Sequence, residues 1–226
     1  MRTLAEDLLL LGLDDDKGTV SWQHATAFPY GLGGALLIDL ARQGRIDTVD
    51  DKIVVTDPTP TGDDVLDEAL QTIQASKKPR DARHWVGKLG GRKGLKEQLA
   101  RRLVERGILR EEEHKFLWIF QSPRFPTSDP GPEASLRGQI RDVVLAGIQP
   151  DERLLLLLSL IKATDLTNQI FERGERRQAK RRIKELVEGE EFGRAVGKAV
   201  ADATTAVVIA ASAAAITAST AASSSN

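Results

Sequence analysis

Gly90-Gly91-Arg92-Lys93-Gly94-Leu95-Lys96 sets three cations on a glycine-rich turn where a helix is expected to begin. The N-terminus of a helix already carries partial positive charge, so each added cation costs roughly a few tenths of a kcal/mol unless an anion compensates. Free backbone N–H groups, glycines that permit close approach and flanking Lys or Arg are together the parts of a phosphate site. An ordinary solvated turn fits the same residues equally well. A second stretch, Trp22 to Gly34, carries Phe28-Pro29-Tyr30-Gly31-Leu32 between turn-forming residues. Apolar groups on such a loop either enter the interfacial zone of a membrane or are buried under a neighbouring helix. Burial is favoured for Phe28 and insertion for Tyr30 and Leu32, and these three form the expected membrane-contact set.

Other chemistries find no residues to carry them. Without cysteine there are no disulfides, thiolate metal sites or Cys nucleophiles. His24, His84 and His114 are far apart, so the helical His-pair zinc pattern is absent and no metal is expected. Gly31-Leu32-Gly33-Gly34-Ala35-Leu36 has Leu36 where a dinucleotide fingerprint needs its third glycine, and the turn at Gly90 fails the P-loop spacing. Asp14 to Gly18 shares only composition with a calcium loop. The acid pair Asp63/Asp64 is explained by capping and solvation. No catalytic group and no cofactor are expected, and the chain does not read as an enzyme. Arg173, Arg176, Arg177, Lys180, Arg181, Arg182 and Lys184 alternate with Glu172, Glu175, Glu185 and Glu188, the pattern of a salt-bridged solvent face. With a formal net charge of −1, anion binding has to come from a local patch.

The elements that would position these residues are mostly helical. Residues 4–11 form a short apolar helix, and Leu36, Leu37, Leu40 and Ala41 mark a helix that stops at Gly44. Ile53-Val54-Val55 is a short strand. Val65, Leu66, Ala69, Leu70 and Ile73 form the next helical face, with acids in its first turns. A short helix holds Trp85, and Leu95, Leu99 and Leu103 recur at fourfold spacing up to Gly107. Ile108-Leu109 and Phe116 to Phe120 read as strands, with Ser122 to Pro132 as a hairpin tip or long loop. Helices follow at 133–146, at 151–165, where Leu154 to Leu158 is apolar all round and the helix is so expected to be central, and at 168–188. From Ala203 to Ala222 no residue is charged, but Ala, Ser and Thr dominate, so an Ala-rich packed helix with a frayed Ser tail is expected rather than a membrane span. The expected division is a helical domain over 1–200 and a terminal segment over 201–226. Acids before Leu8-Leu9-Leu10-Leu11 argue against a signal peptide, and a cytoplasmic protein is expected.

The chain resembles the Golgi phosphoprotein 3 family. The resemblance runs through Glu6 to Leu13, Gly34 to Leu40 with Gly44-Arg45-Ile46, Pro60-Thr61-Gly62-Asp63 with Leu66 to Leu70, Leu99 to Leu109 and Asp151 to Leu155. It covers roughly residues 3 to 190, and the high use of Arg and Ala suggests a bacterial member. The resemblance implies a mainly α fold, a central helical bundle wrapped by amphipathic helices with one projecting β-hairpin near Phe116 to Phe125. It also implies a peripheral membrane protein that binds phosphatidylinositol 4-phosphate through a Trp and several arginines and retains glycosyltransferase clients. The hairpin, here with Phe116, Trp118, Phe120 and Phe125, is implied in self-association to a homo-oligomer.

Carried over by position, the family's arginine pair falls on Lys93 and Lys96, which keep the charge but not the bidentate fork. The family's Trp falls on Trp22 if two extra loop residues are allowed, and on His24 without a gap. A further arginine falls on Gly33. The expectation is a peripheral adaptor on an anionic phospholipid membrane, with Trp22, Arg92, Lys93 and Lys96 holding the head group and Phe28, Tyr30 and Leu32 in contact with the membrane. The rivals are a protein-interaction scaffold using the hairpin and a winged-helix-like nucleic-acid binder. Glu111-Glu112-Glu113 in the would-be wing argues against nucleic acid.

Overall fold

A computed structural model describes residues 1–116, 120–189, 201–207 and 209, a mainly helical body with two small antiparallel hairpins. Its axis is α1 (Leu4–Gly12), all of whose residues are buried. The helix opens on a reciprocal cap: Glu6 N–H donates to Thr3 Oγ1 at 3.1 Å and Thr3 N–H donates to Glu6 Oε2 at 2.8 Å. Around α1 pack α2 (Phe28–Arg42), α5 (Leu95–Glu105), α6 (Gly131–Leu145), α7 (Glu152–Ala163) and α8 (Thr167–Ile170). The apolar run expected to be central therefore belongs to a neighbour of the axis: α7 is buried from Leu155 to Ile161, but α1 takes the middle.

Helix α2 starts earlier than its hydrophobic spacing suggests. Pro29 occupies its first turn, where a missing N–H costs nothing, so the aromatic stretch is half helix rather than loop. Phe28 lies against Gly12, where an added Cβ would come within 2.4 Å of the ring. Against α2 packs α4 (Ala82–Gly90), so closely that a Cβ on Gly33 would meet the Val86 carbonyl at 2.3 Å.

The strand expected at Ile53 has a partner the periodicity did not reveal. β1 (Ile46–Val49) pairs with β2 (Lys52–Val55) in register Ile46↔Val55, joined by Asp50 and Asp51, both at positive φ. The second hairpin pairs β3 (Glu112–Phe116) with β4 (Phe120–Arg124), so residues 120–124 are strand and the loop toward α6 begins only at Phe125. Ile108-Leu109 contributes a single bridge, Leu109↔Thr127. The expected helix over 168–188 is interrupted. α8 ends at Ile170, Phe171 is extended, and the charged α9 (Arg176–Glu188) then packs on α6 and α7. Residues 201–207 are helical, and Ala203, Ala206 and Val207 join the core, with Val207 against Gly34 of α2. Residues 210–226, including the Ser tail, lie outside the described residues.

The helices are tied together by buried carboxylates. Glu6, fully buried, receives Arg102 Nε and Arg106 Nη1, each at 3.1 Å, from α5. Arg102 also reaches Asp63 at 2.6 Å, and the same Asp63 carboxylate caps α3 (Asp64–Gln74) through the N–H groups of Val65 and Leu66. Burial is the largest influence on the Asp63 carboxyl and would raise it, but the hydrogen bond and charge of Arg102, together with the N–H groups of Leu66 and Val65, hold it below the usual value. Asp7 joins Arg2 and Arg153 at 2.5 Å each. Asp39 accepts from Leu4 N–H at 2.7 Å, and burial pushes its carboxyl up to about 6. Every carboxylate in this lattice has a cation or a backbone donor, the condition under which buried charge is tolerable.

Candidate functional site

The basic turn joins two helices that the core holds firmly. α4 ends at Gly90, Arg92 N–H donates to Leu89 O at 3.2 Å, and Gly94, at φ +84, turns the chain into α5. A side chain there would be strained, so glycine is the residue this reversal needs. Having no side chain, Gly94 offers α5 no cap, in contrast to Thr3, Asp63, Asp81 and Asp151 at the starts of α1, α3, α4 and α7. Leu95 N–H donates to Arg92 O at 3.3 Å, which leaves the N–H groups of Lys96 and Glu97 without a partner among the described residues at the positive end of the helix dipole.

Opposite the turn stands the segment from Thr19 to Leu32. Between them lies an open slot of about 320 Å³, lined on one side by Arg92, Gly94, Leu95, Lys96 and Glu97 and on the other by Val20, Ala25, Phe28, Pro29 and Leu32. The structure thus brings together the basic turn and the aromatic stretch, the two clusters singled out in the sequence. One wall is cationic and the other apolar, which suits an amphiphilic anion.

The expected site residues divide by what they touch. Lys93 is exposed and has no ion-pair partner among the described residues. Lys96 lines the slot with its side chain 40% exposed, and its Nζ lies 3.3 Å from Glu97 Oε1. Arg92 is committed inward: its guanidinium pairs with Glu68 of α3 and donates to Gln98 Oε1 at 2.6 Å. It braces the turn against α3 as well as lining the slot. Trp22 is 81% exposed on the segment that forms the far wall, whereas His24 is 6% exposed. Of the two residues that compete for the family's Trp position, only Trp22 offers its ring to a surface.

The membrane-contact set is corrected by burial. Phe28 and Leu32 are each 2% exposed, Phe28 seated on Gly12 and both packed in the core, so they form the floor of the slot and offer no side chain for insertion. Tyr30 is half-buried and lies over Gly87 of α4. The hairpin set is corrected at one position: Phe125 is 1% exposed, its backbone pressed on Gly18, which withdraws it from any self-association surface. Phe116 and Phe120 pair across the hairpin, while their side chains and the whole of Trp118 lie outside the described residues. Beside the hairpin, Glu111 pairs with Arg101 and Glu112 with Arg110, which neutralises cations that a nucleic-acid backbone would need.

Sequence reading missed Glu68 and Glu97, the two acids that hold site cations. Glu97, directly after Lys96, was visible as an acid in the first helical turn. Glu68 reaches Arg92 from another helix, and no local pattern announces that contact.

A family model described as Golgi phosphoprotein 3 (GPP34) matches residues 4–207. The chain is similar to a protein of Eremothecium gossypii named vacuolar protein sorting-associated protein 74, 33% identical over 165 residues, which is 63% of this chain. The match takes in 49% of the relative, so the chain spans about half the length of this curated protein. The carboxylates and arginines of the core lattice, Glu6, Asp63, Arg102 and Arg153, lie in the stretches on which the resemblance rests. With the family model covering residues 4–207, well over half of the chain, the chain belongs to the Golgi phosphoprotein 3 family.

Proposed function

We propose that this protein is a non-catalytic peripheral membrane adaptor that docks on anionic phospholipid through the slot between the basic turn and the segment carrying Trp22. The observation that carries the proposal is the juxtaposition of Lys96 and the uncapped start of α5 with an apolar wall in one 320 Å³ slot. Lys96 and the α5 N–H groups take a phosphate, Lys93 adds long-range attraction from the exposed turn, and Trp22 rests at the lipid interface. Arg92 acts mainly by holding the turn in place. The ligand class best suited to this site is a phosphorylated inositol lipid, with phosphatidylinositol 4-phosphate the first to try. Lysines bind phosphate as point charges, so selectivity among phosphorylated head groups is weaker than with paired arginines.

Among the described residues no helix is long and apolar enough to cross a membrane. The Eremothecium gossypii relative is named for vacuolar protein sorting, and membrane-protein clients, glycosyltransferases among them, are the partners such an adaptor would hold. Quenching of tryptophan fluorescence by vesicles of brominated lipid tests the docking pose. Wild-type protein should be quenched on vesicles containing phosphatidylinositol 4-phosphate, and Trp22→Phe should lose most of that quenching. Quenching that survives Trp22→Phe unchanged would place the contact elsewhere.

A further inference from the structure

Glu97 is an acid in a site that otherwise collects positive charge. It occupies the third position of α5, where a carboxylate often accepts from the backbone N–H of the capping residue, but no such bond joins Gly94 to Glu97 among the described residues. Its Oε1 instead lies 3.3 Å from Lys96 Nζ, and the side chain, 33% exposed, lines the phosphate slot. It also borders the groove along α5 beside Arg101, itself paired with Glu111. Compensation of the helix dipole would explain an acid here, but not its position on the wall of the slot.

We infer that Glu97 is a specificity-determining residue, accepting hydrogen bonds from ring hydroxyls next to the bound phosphate and rejecting phosphates that lack them. The inference rests on the docking reading given above. In the empty slot Lys96 neutralises Glu97. A phosphate dianion draws Lys96 away, and the carboxylate is left beside a like charge in a half-enclosed space. A head group that presents hydroxyls next to its phosphate supplies the missing donors, as an inositol ring does. A bare phosphomonoester such as phosphatidic acid supplies none, and the repulsion stands. Discrimination thus comes from a penalty on the wrong ligand as much as from a contact with the right one.

The test is flotation of the full chain with phosphatidylcholine vesicles carrying either phosphatidylinositol 4-phosphate or phosphatidic acid at matched charge. Wild-type protein should prefer the inositol lipid by about tenfold, the scale of a hydrogen bond to a charged group. Glu97→Ala should bring the two lipids within about twofold, with binding to phosphatidic acid raised and binding to the inositol lipid lowered. Glu97→Gln, which keeps an acceptor of the same shape, should raise phosphatidic acid binding yet retain part of the preference, and it carries the test if the alanine variant fails to fold. Equal strengthening on both lipids in Glu97→Ala, or an unchanged ratio, would overturn the role assigned to Glu97. Equal binding of wild-type protein to both lipids would overturn it while leaving the docking reading intact. Binding of wild-type protein to neither would overturn both.

Discussion

Helix α5 carries two sets of cations with opposite fates. Toward its C-terminal end, Arg102 and Arg106 turn inward onto Glu6, and Arg102 continues to Asp63 and Asp64, so that charge is balanced inside the molecule. At its start, Lys96 pairs with Glu97, Lys93 on the turn before the helix has no ion-pair partner among the described residues, and the dipole of the helix adds further positive character. The first set is closed by the fold, and the second is left for something outside it. The stretches that carry the family resemblance include the closed set, Glu6, Asp63, Arg102 and Arg106, which hold the architecture together.

The contrast can be broken most severely at Arg102. Replacing it with Met strands Asp63 and leaves Glu6 with Arg106 alone, and should cost about 3–5 kcal/mol, the range for removing one partner of a buried pair. Urea unfolding would read that loss, whereas vesicle affinity of the remaining folded protein should be unchanged. Gly33→Arg introduces the cation that the resemblance implies at that position, yet it should not strengthen vesicle binding. The side chain would have to displace α4 at the Val86 carbonyl, at a cost of about 1–3 kcal/mol, with no gain in vesicle binding by flotation.

A subtler test uses pH. Burial, aided by the neighbouring Asp15 carboxyl and opposed by Arg137, pushes Glu133 in the first turn of α6 up to about 7, and burial pushes Asp39 up to about 6. Both values lie above those of the unfolded chain, so the folded state binds these protons more tightly. Their contribution to stability is fully present below the unfolded values and is lost as pH rises through the folded ones. The Asp63 carboxyl, held low, acts only at more acidic pH and does not oppose this trend. Calorimetry should show Tm falling between pH 4.5 and 7, and Glu133→Gln should flatten the upper part of that slope. The smallest effect is expected for Arg92→Gln. Its partner Glu68 is half exposed, so unfolding free energy should drop by about 1 kcal/mol or less, with a modest loss of vesicle affinity as the turn loosens.

Much of this architecture was legible because its signals are local. The Thr3–Glu6 cap, the Asp63 cap and the apolar spacing of α3 and α5 can be read within a few residues. β1 was hidden because Asp50-Asp51 reaches positive φ without the glycine that usually marks such a turn. The early start of α2 was hidden because Pro29 reads as a loop residue when its tolerance in a first turn is overlooked. The basic turn was visible for the same local reason as the caps. Burial of Phe125 was not, since it depends on a distant glycine, Gly18, that gives its backbone a seat. The Arg92–Glu68 pair likewise joins two helices and leaves no trace in either segment alone.

Co-sedimentation of Lys93→Glu/Lys96→Glu with vesicles containing phosphatidylinositol 4-phosphate, alongside its thermal unfolding, tests the open rim most directly. Docking through this rim requires binding to fall by tenfold or more, roughly the effect of reversing two contact charges near an anionic surface, while Tm stays close to that of the wild type. Undiminished sedimentation of a normally folded double variant would contradict it.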